Sequence, residues 1–276
     1  MKRWSSVGFA LGTFLGVIVV SMVALLHMQF GSLNAAASPV TKPTQTLQKT
    51  SNSNGSFADA ERFFTANNIT LSIRPKSSLS LASWTPYEST EATNVRVAAS
   101  ELQDEMSKYS HQTLQASGLK SIYLVSDLFV NGQARSGMPE PLVEHALYFD
   151  ASDKYLQSEN GQYMRRTFHH EFSHLIAYDL YGKYTPNDAA WERCNTKEAS
   201  YGNGGASMYA DPEYAHKLHP SYGFIDGYAT SAPEEDTAEM FTYYMTDLDY
   251  LSTVASKDAG IACKLSLTEK LLRTLQ

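Results

Sequence analysis

The stretch Thr167-Phe168-His169-His170-Glu171-Phe172-Ser173-His174-Leu175-Ile176 contains the pattern H-E-x-x-H, from His170 to His174. On an α-helix, residues four positions apart lie on one face, one turn along the axis. Two imidazoles placed in this way bind one zinc ion, and Glu171 projects beside them, where it can take a proton from the water that the metal activates. The pattern therefore predicts a helix that carries two ligands and the general base of a zinc site.

The residues around the motif are typical of a half-buried helix. Phe168, Phe172, Leu175 and Ile176 recur at i, i+4, i+7 and i+8, roughly opposite the two metal-binding positions. One face is therefore expected to pack on a core while the other faces a cleft. A pair of surface histidines on an amphipathic helix is the alternative, but chance produces the motif in only about 1% of chains of this composition.

A catalytic zinc needs a third protein ligand and an open coordination position for water. The compact pattern H-E-x-x-H-x-x-G-x-x-H is excluded, because Ala177 stands at the glycine position and Tyr178-Asp179-Leu180 supplies no third histidine. The third ligand must come from further along the chain. The acidic and histidine side chains that qualify are His216, His219, Glu234, Glu235, Asp236 and Glu239.

The segment 228–241 offers the best candidates among these. Ser231 and Glu234 form the S-x-x-E pattern of a capping box, and Pro233 is typical of a first helical turn, so a helix is expected to begin here. Glu235 and Glu239 are four residues apart, which places both carboxylates on one face of that helix.

We predict Glu235 as the third ligand of Zn²⁺ and Glu239 as the acceptor of a histidine N–H behind the metal. Two alternatives stay open for the ligand itself, Glu239 and His219. The acidic residues of this segment are also compatible with a solvated first turn that the helix dipole favours.

His170-Glu171-x-x-His174 followed by Glu235-Asp236-x-Ala238-Glu239 resembles the gluzincin zinc metallopeptidases. The nearest pattern is that of the anthrax lethal-factor-type peptidases and related bacterial zinc peptidases, and it covers about residues 163–245. The resemblance implies that His170, His174 and Glu235 bind zinc. It also implies that Glu171 deprotonates the attacking water and later passes the proton to the leaving amine.

The same resemblance implies further features of the fold and of the substrate. Tyr228, seven residues ahead of Glu235, would donate a hydrogen bond to the oxyanion, although an ordinary packed tyrosine is nearly as good an interpretation. The fold would be α+β and zincin-like, with a small mixed sheet lobe, a helical lobe and the active-site helix between them. An extended peptide would pair with the edge strand before the motif helix, for which residues 143–149 are the expected strand.

Periodicity predicts the remaining elements. Helices are expected at residues 58–67, 90–114, 157–181, 233–248 and 261–275, and strands at 69–73, 121–130 and 143–150. Asn131-Gly132 marks a turn, and the chain through Gly137 and Pro141 is expected to be a loop. Residues 184–227 also resemble a loop, and the gap of 61 positions from His174 to Glu235 is long for a gluzincin.

The N-terminus differs in composition from the rest of the chain. Lys2 and Arg3 precede an uncharged and largely apolar run at residues 4–30, which is long enough to cross a bilayer. The basic end would stay in the cytoplasm and residues after 30 would lie outside. Ala35-Ala36-Ala37 offers a signal-peptidase site, so residues 1–30 are either a transmembrane anchor or a signal peptide. Residues 31–56 are expected to be a flexible polar linker, and 57–276 the metallopeptidase domain.

Charge and cysteine content narrow the possible partners. The net charge of −7 and the lack of a basic patch argue against nucleic acid as a partner. Cys194 and Cys263 suit one disulfide in an oxidising compartment, with two free thiols as the alternative.

The leading hypothesis is an extracytoplasmic zinc peptidase, membrane-tethered or secreted, that cleaves within protein or peptide chains. The alternatives are a non-enzymatic cell-surface binding module with a structural or vestigial zinc, and a zinc hydrolase that acts on another substrate such as a cell-wall peptide crosslink.

Overall fold

The centre of the fold is β3 (Ser121–Val130), a strand in which residues 122–125 are all buried. The computed structural model of the chain describes residues 55–158, 162–185 and 188–276. Its helices are α1 (Phe57–Ala66), α2 (Thr93–Met106), α3 (His111–Ala116), α4 (Asp153–Leu156), α5 (Gln162–Tyr181), α6 (Asp188–Glu192), α7 (Pro212–Ala215), α8 (Pro233–Thr246), α9 (Leu248–Ala255) and α10 (Ala259–Thr274). The other strands are β1 (Thr70–Ser72), β2 (Ala82–Pro86), β4 (Gln133–Ala134), β5 (Gly137–Glu140), β6 (Ala146–Asp150), β7 (Leu218–Ser221) and β8 (Phe224–Asp226).

Six of these strands form one mixed sheet, and β7 pairs with β8 in a separate two-stranded sheet. The order along the main path is β1-β3-β6-β5. β3 runs parallel to both β1 and β6, whereas β5 runs antiparallel to β6 and forms an edge. β2 and β4 pair antiparallel with β3. The prediction of a mixed α+β fold is therefore confirmed.

The two faces of the sheet bury different side chains, because successive residues of a strand point to opposite faces. Leu124 and Phe149 belong to the main core, which they share with residues of α1, α2, α5 and α8. Tyr123 and Tyr148 point to the other face, where the ring of Trp84 packs 5.0 Å from that of Tyr148. Burial on both faces explains why β6 is apolar from Ala146 to Phe149.

Helix α5 carries the H-E-x-x-H motif and connects the sheet to the C-terminal helices. It contacts β5, β6 and α2, and it also packs against α8. The apolar stripe predicted from the sequence is its buried side, since Phe168, Phe172, Leu175 and Ile176 are all fully buried. The opposite side of α5 is consequently turned toward α8 and a cleft.

His169 fastens α5 to α2. Its Nε2 atom lies 2.7 Å from a carboxylate oxygen of Glu105, and its Nδ1 atom lies 2.6 Å from the hydroxyl of Tyr109. Burial would raise the pKa of Glu105, but the hydrogen bond and charge of His169, together with Lys108, outweigh burial and lower that pKa to about 2. These contacts fix the rotation of α5, so that the next residue, about 100° further round the axis, points into the cleft.

Glu101 on α2 is a buried carboxyl that makes stability depend on pH. Only 3% of it is exposed, and burial raises its pKa from 4.5 to about 7, against the attraction of Arg165. Because this pKa is higher in the folded state than in the unfolded state, protonation of Glu101 stabilises the fold. This stabilisation is fully present below pH 4.5 and is lost as the pH rises through about 7. One pKa unit corresponds to about 1.4 kcal/mol, so the free energy of unfolding should fall by up to about 3 kcal/mol across this window.

Glu101→Gln should remove this part of the pH dependence. We expect urea unfolding at pH 5 and pH 7.5 to give a smaller difference in the free energy of unfolding for the variant than for the wild type. Glu61→Gln, at an exposed position of α1, is the control and should behave as the wild type does. If the difference in the free energy of unfolding between pH 5 and pH 7.5 is the same in Glu101→Gln as in the wild type, Glu101 is not the group responsible.

Several predicted elements differ from the observed ones. The helix predicted at 90–114 is interrupted, since α2 ends at Met106 and Ser110 caps α3 by accepting a hydrogen bond from the N–H of Thr113. The strand predicted at 143–150 begins only at Ala146, because Val143 is 67% exposed in a turn. In that turn the carboxylate of Glu140 accepts hydrogen bonds from the backbone N–H groups of residues 142–144.

The prediction of the edge strand is wrong. Residues 143–149 were expected to form the edge, but β6 lies between β3 and β5. The edge is β5, which contains Pro139 and lies within the stretch through Gly137 and Pro141 that was predicted to be a loop. Proline is tolerated at a sheet edge, where its missing N–H removes no ladder hydrogen bond.

Cys194 and Cys263 form a disulfide with a Cα–Cα distance of 5.6 Å. It joins the segment after α6 to α10 across 69 positions of sequence. The two cysteines therefore form the predicted disulfide and are not free thiols.

The predicted anchor or signal peptide at residues 1–30, and nearly all of the predicted linker at 31–56, lie outside the described residues. Within the part of the chain that the structure describes, no helix combines the length and the apolar character needed to cross a bilayer.

Candidate metal centre

Three side chains converge where α5 meets α8. His170 Nε2 lies 3.0 Å from Glu235 Oε2 and 3.1 Å from His174 Nε2, and His174 Nε2 lies 3.3 Å from the same Glu235 oxygen. α5 supplies both histidines one turn apart, and α8 supplies Glu235 from its first turn. The structure thus brings together the three residues predicted to bind zinc.

The spacing and the chemistry of these atoms fit a tetrahedral zinc ion. With bonds of about 2.0–2.2 Å, two ligand atoms at the tetrahedral angle lie about 3.3–3.6 Å apart, close to the observed distances. Two imidazole nitrogens and one carboxylate oxygen are also a donor set of catalytic zinc sites, which keep the fourth position for water. The residues present therefore suit Zn²⁺.

Glu239 determines which nitrogen of His170 faces the other ligands. Its Oε1 atom lies 2.9 Å from His170 Nδ1, so Nδ1 carries the proton and donates the hydrogen bond to Glu239. In the neutral ring Nε2 then directs a lone pair at the carboxylate of Glu235. A lone pair and a carboxylate oxygen repel each other unless a cation lies between them, and a metal removes that repulsion.

Glu235 and Glu239 make the surroundings of His170 strongly negative. Burial alone would lower the pKa of His170, but the hydrogen bonds to these two carboxylates raise it well above its ordinary value. Burial would raise the pKa of Glu235, yet hydrogen bonds with His170 and His174 hold it well below its usual range. An environment that favours a proton so strongly also favours a divalent cation.

Arg166 and Asp226 hold Glu239 in place. The guanidinium of Arg166 donates to Glu239 Oε2 at 3.1 Å, lies 3.7 Å from Asp226 and stacks 4.2 Å from the centre of the Tyr243 ring. Burial raises the pKa of Asp226 well above its ordinary value, and the charge of Glu239 adds to this effect. Burial and Glu239 therefore favour the protonated form of Asp226, and Arg166 is the ion-pair partner of Glu239.

Glu171 opens onto a cleft of about 420 Å³ beside the metal ligands. The edge of the sheet lies directly against it, since a Cβ atom on Gly137 would come within 2.8 Å of Glu171 Cγ. Burial raises the pKa of Glu171, while positive charge on His170 and His174 opposes the shift. A raised pKa brings the carboxylate closer to the pH at which a general base works best.

Tyr228 also lines this cleft. It begins a short 3-10 helix, Tyr228–Thr230, just ahead of α8, and its ring lies edge-on to His170 with a centroid distance of 5.6 Å. Burial raises the pKa of Tyr228, and the charge of Glu235 raises it further. The phenol therefore keeps its proton and is able to donate a hydrogen bond into the cleft.

Residues 202–210, which we call the strap, lie over Glu235 and Tyr228. The N–H groups of Gly202 and Gly204 donate to the carbonyls of Thr230 and Ser231 at 3.0 and 2.9 Å. These bonds fix one end of the strap beside the start of α8.

The far end of the strap is attached to the sheet. The side-chain amide of Gln133 donates to the carbonyl of Ala206 at 3.3 Å, and the guanidinium of Arg135 stacks 4.3 Å from the centre of the Tyr209 ring. The strap therefore joins α8 to β4 across one end of the cleft.

Gly205 allows the strap to lie this close to the metal ligands. A Cβ atom at this position would lie 2.3 Å from both Glu235 Oε1 and the hydroxyl of Tyr228. Gly205→Ala should therefore displace Glu235 or lift the strap, and we expect zinc affinity to fall by about 10-fold or more, the scale of losing a residue that supports a ligand.

Gly202→Ala is the matched control, because its added Cβ would meet no atom closer than 3.5 Å. Competition with a chromophoric chelator measures both affinities. Equal zinc affinity in the two variants would contradict the close approach of the strap to Glu235.

Asp236 anchors the first turn of α8 to the segments that follow α5. Trp191 Nε1 and the hydroxyl of Tyr201 each donate to Asp236 Oδ2 at 2.7 Å, and Lys264 of α10 forms an ion pair with the same carboxylate. Asp236 and Lys264 are both fully buried. Because Asp236 follows Glu235 directly, this network fixes the position of the third ligand.

The capping box predicted at the start of α8 does not form. The N-cap is Ala232, which makes no side-chain hydrogen bond, and the buried hydroxyl of Ser231 has no partner within the described ranges. Pro233 does occupy the first turn as predicted, so Ser231 lies one residue too early to cap the helix.

His219 is not part of the metal cluster. Its Nε2 atom lies 2.9 Å from the carboxylate of Asp258. Of the residues whose positions are described, those that could share one metal ion here are His170, His174 and Glu235. His219 is therefore excluded as the third ligand in this arrangement.

Arg166, Asp226 and Gly205 were not predicted to contribute to the site, and Asp236 was considered only as a candidate ligand, not as a buried anchor of α8. Arg166 had a local signal, because it precedes His170 by four positions and so shares its helix face. Asp226, Asp236 and Gly205 gave no such signal, since their roles arise from contacts between segments that are far apart in sequence.

Comparisons with known proteins give little further information. No protein-family model matches the chain, and no curated protein matches it significantly. Among solved structures, the chain is similar to a "putative zinc-binding metallo-peptidase" from Bacteroides caccae ATCC 43185, with a TM-score of 0.47 and 16% sequence identity. The similarity covers 79% of this chain and 90% of that chain. A TM-score this low supports no argument, so the assignment of the site rests on its own residues.

Proposed function

We propose that the chain is a zinc-dependent peptidase of the gluzincin type, in which His170, His174 and Glu235 bind Zn²⁺ and Glu171 is the general base. The observation that carries this proposal is the convergence of three ligand atoms within 3.0–3.3 Å of one another. The opening of Glu171 onto the adjacent cleft supports a catalytic rather than a structural metal. The position of α5 in contact with both β5 and α8 is consistent with a zincin-like arrangement.

Each residue has a distinct part in peptide hydrolysis. A bound zinc ion would supply Lewis-acid activation of a water molecule and of the substrate carbonyl. Glu171 accepts the proton of the attacking water and passes it to the leaving amine. Tyr228 donates a hydrogen bond to the carbonyl oxygen as that oxygen gains negative charge. Glu239 keeps His170 in the tautomer that binds a metal.

The substrate that suits this cleft is a peptide in an extended conformation. The N–H of Asp150 donates to the carbonyl of Ser136 at 2.9 Å. In an antiparallel pair, residues that bond to the neighbouring strand alternate with residues that do not. The N–H and C=O of Gly137, and the C=O of Pro139, therefore point away from β6. A peptide strand can add to this edge beside Glu171.

We place the enzyme outside the cytoplasm. The basic residues Lys2 and Arg3 followed by the apolar run at 4–30 favour a single-pass anchor, or a signal peptide if the chain is cleaved near Ala35-Ala36-Ala37. The Cys194–Cys263 disulfide is consistent with an oxidising compartment.

The test is cleavage of a peptide library by the purified chain, with and without a chelator and with zinc restored. We expect cleavage that the chelator abolishes and that zinc restores. Stoichiometric zinc without any cleavage would contradict the proposal and favour a non-enzymatic binding module. A structural zinc site is closed by protein ligands and has no use for a base, which disfavours that alternative here.

A further inference from the structure

Arg135, which follows β4 directly, is a half-buried guanidinium that has no acidic partner. Its Nη2 atom donates to Gln133 Oε1 at 2.8 Å, and the group stacks on Tyr209. No carboxylate within the described ranges reaches ion-pair distance of it. Arg165 and Arg166 on α5, by contrast, each face a carboxylate at 3.9 and 3.1 Å.

Gln133 and Tyr209, the two residues that the guanidinium contacts, both line the cleft. Burial would lower the pKa of Arg135, but the hydrogen bond and charge of Tyr209, together with Tyr228 and Glu171, raise it above its ordinary value. Gly137, two positions further along the chain, abuts Glu171, and Tyr209, on which Arg135 stacks, lines the same cleft as Glu171 and Tyr228. A cation at this place, stacked on an aromatic ring and without an anion, is suited to bind one from the substrate.

The strap lies beside Arg135 and lines the same cleft. Met208 and Tyr209 line the cleft together with Gln133, and the strap is bonded both to the start of α8 and to β4. A peptide that follows β5 past Glu171 therefore meets Arg135 and then the strap.

We propose that Arg135 binds a carboxylate of the peptide substrate, one or two residues to the C-terminal side of the scissile bond. This inference rests on the proposed peptidase function. A peptide antiparallel to β5, which is the more stable pairing, runs from Glu140 toward Arg135, so its C-terminal part approaches Arg135 and the strap. Gly137 is the residue that abuts Glu171, and Arg135 lies two positions before Gly137. Two residues span about 7 Å along a strand, which matches one or two residues of a substrate beyond the scissile bond.

The carboxylate has two sources with the same chemistry. A free C-terminus at Arg135 makes the enzyme release one or two C-terminal residues. An aspartate or glutamate side chain at the same place makes it cleave within chains ahead of acidic residues. In both cases the planar guanidinium can form two parallel N–H···O bonds with the carboxylate.

The experiment uses the full zinc-loaded chain and three sets of peptides of equal length. The first set has free C-terminal carboxylates, the second has C-terminal amides and no acidic residue, and the third has C-terminal amides with one glutamate at varied positions. We expect kcat/KM for the first or third set to exceed that for the second by about 10- to 100-fold, the range for a charged hydrogen bond. A preference for the first set identifies a free C-terminus as the bound carboxylate, and a preference for the third set identifies an acidic side chain.

Three variants test the residue itself. Arg135→Gln should abolish the preference, and Arg135→Lys should keep part of it because the charge remains. The control is Arg273→Gln, which removes an exposed arginine of α10 that lies 3.8 Å from Glu269, and it should behave as the wild type does. A preference that survives in Arg135→Gln, or equal cleavage of all three sets by the wild type, would overturn the inference and leave the peptidase function intact.

Binding provides a readout that does not require hydrolysis. Calorimetric titration of Glu171→Gln with the same peptides should give a Kd about 10- to 100-fold lower for the preferred set than for the uncharged amides. If no peptide is cleaved, the peptidase proposal fails, and these Kd values still decide the role of Arg135. Equal Kd values, or no binding of any peptide, overturn that role.

Discussion

Glu171→Gln is expected to lower the rate of peptide hydrolysis by at least about 10²–10⁴-fold, the usual contribution of a general base. Glutamine has nearly the shape of glutamate but cannot accept the proton of the attacking water. Because Glu171 opens onto the cleft and does not belong to the cluster of His170, His174 and Glu235, the variant should still bind one zinc ion per chain. Rates of peptide cleavage and the zinc content of the purified variant are the two measurements.

Glu234→Gln is the matched control for this experiment. It removes a carboxylate from the first turn of α8 that belongs neither to the metal cluster nor to the lining of the cleft. The control should keep the wild-type rate. Undiminished cleavage by pure, zinc-loaded Glu171→Gln would refute the assignment of the base.

Glu235→Ala is expected to weaken zinc binding by more than about 100-fold. Loss of a residue that only supports a metal ligand costs about 10- to 100-fold in affinity, and the loss of a ligand itself should cost more. Glu235 contributes an oxygen 3.0 Å from His170 Nε2 and 3.3 Å from His174 Nε2, so no other carboxylate of α8 can replace it without moving the helix.

Glu239→Ala provides the comparison for Glu235→Ala. Glu239 contacts Nδ1 of His170 rather than the nitrogen that faces the other ligands, so its loss should cost only about 10- to 100-fold. Competition with a chromophoric chelator gives both affinities, and circular dichroism verifies that each variant is folded. A larger loss in Glu239→Ala than in Glu235→Ala would make Glu239 the third ligand.

The two helices that form the metal centre were predictable because their signals are local. Phe168, Phe172, Leu175 and Ile176 specify the buried side of α5, and this stripe alone determines that His170 and His174 point the other way. Pro233 marks the start of α8, and the spacing of Glu235 and Glu239 places both carboxylates on one face.

The edge strand was not predictable in the same way. β5 has only four residues and contains Gly137 and Pro139, which both disfavour strands. It forms because the neighbouring strand supplies a ladder and because glycine permits close contact with Thr167 and Glu171. Val143, which has strong strand propensity, is exposed in a turn where Glu140 binds the backbone.

The surroundings of the metal ligands also depend on long-range contacts. Asp236 resembled any other acidic residue of a first helical turn, yet it is buried against Trp191, Tyr201 and Lys264. The segment 184–227 was predicted to be a loop, and it contains α6, α7, the strap and the β7–β8 hairpin. Its function in covering Glu235 could not be inferred from periodicity, because glycine-rich segments carry no pattern that specifies what they contact.

The most direct test of the account is a crystal structure of the zinc-loaded chain with diffraction measured at the zinc absorption edge. We expect one anomalous peak about 2.0–2.2 Å from His170 Nε2, His174 Nε2 and a carboxylate oxygen of Glu235, with Glu171 beside it and no fourth protein ligand. A zinc ion bound without Glu235, closed by a fourth side chain, or located away from α5 would contradict it.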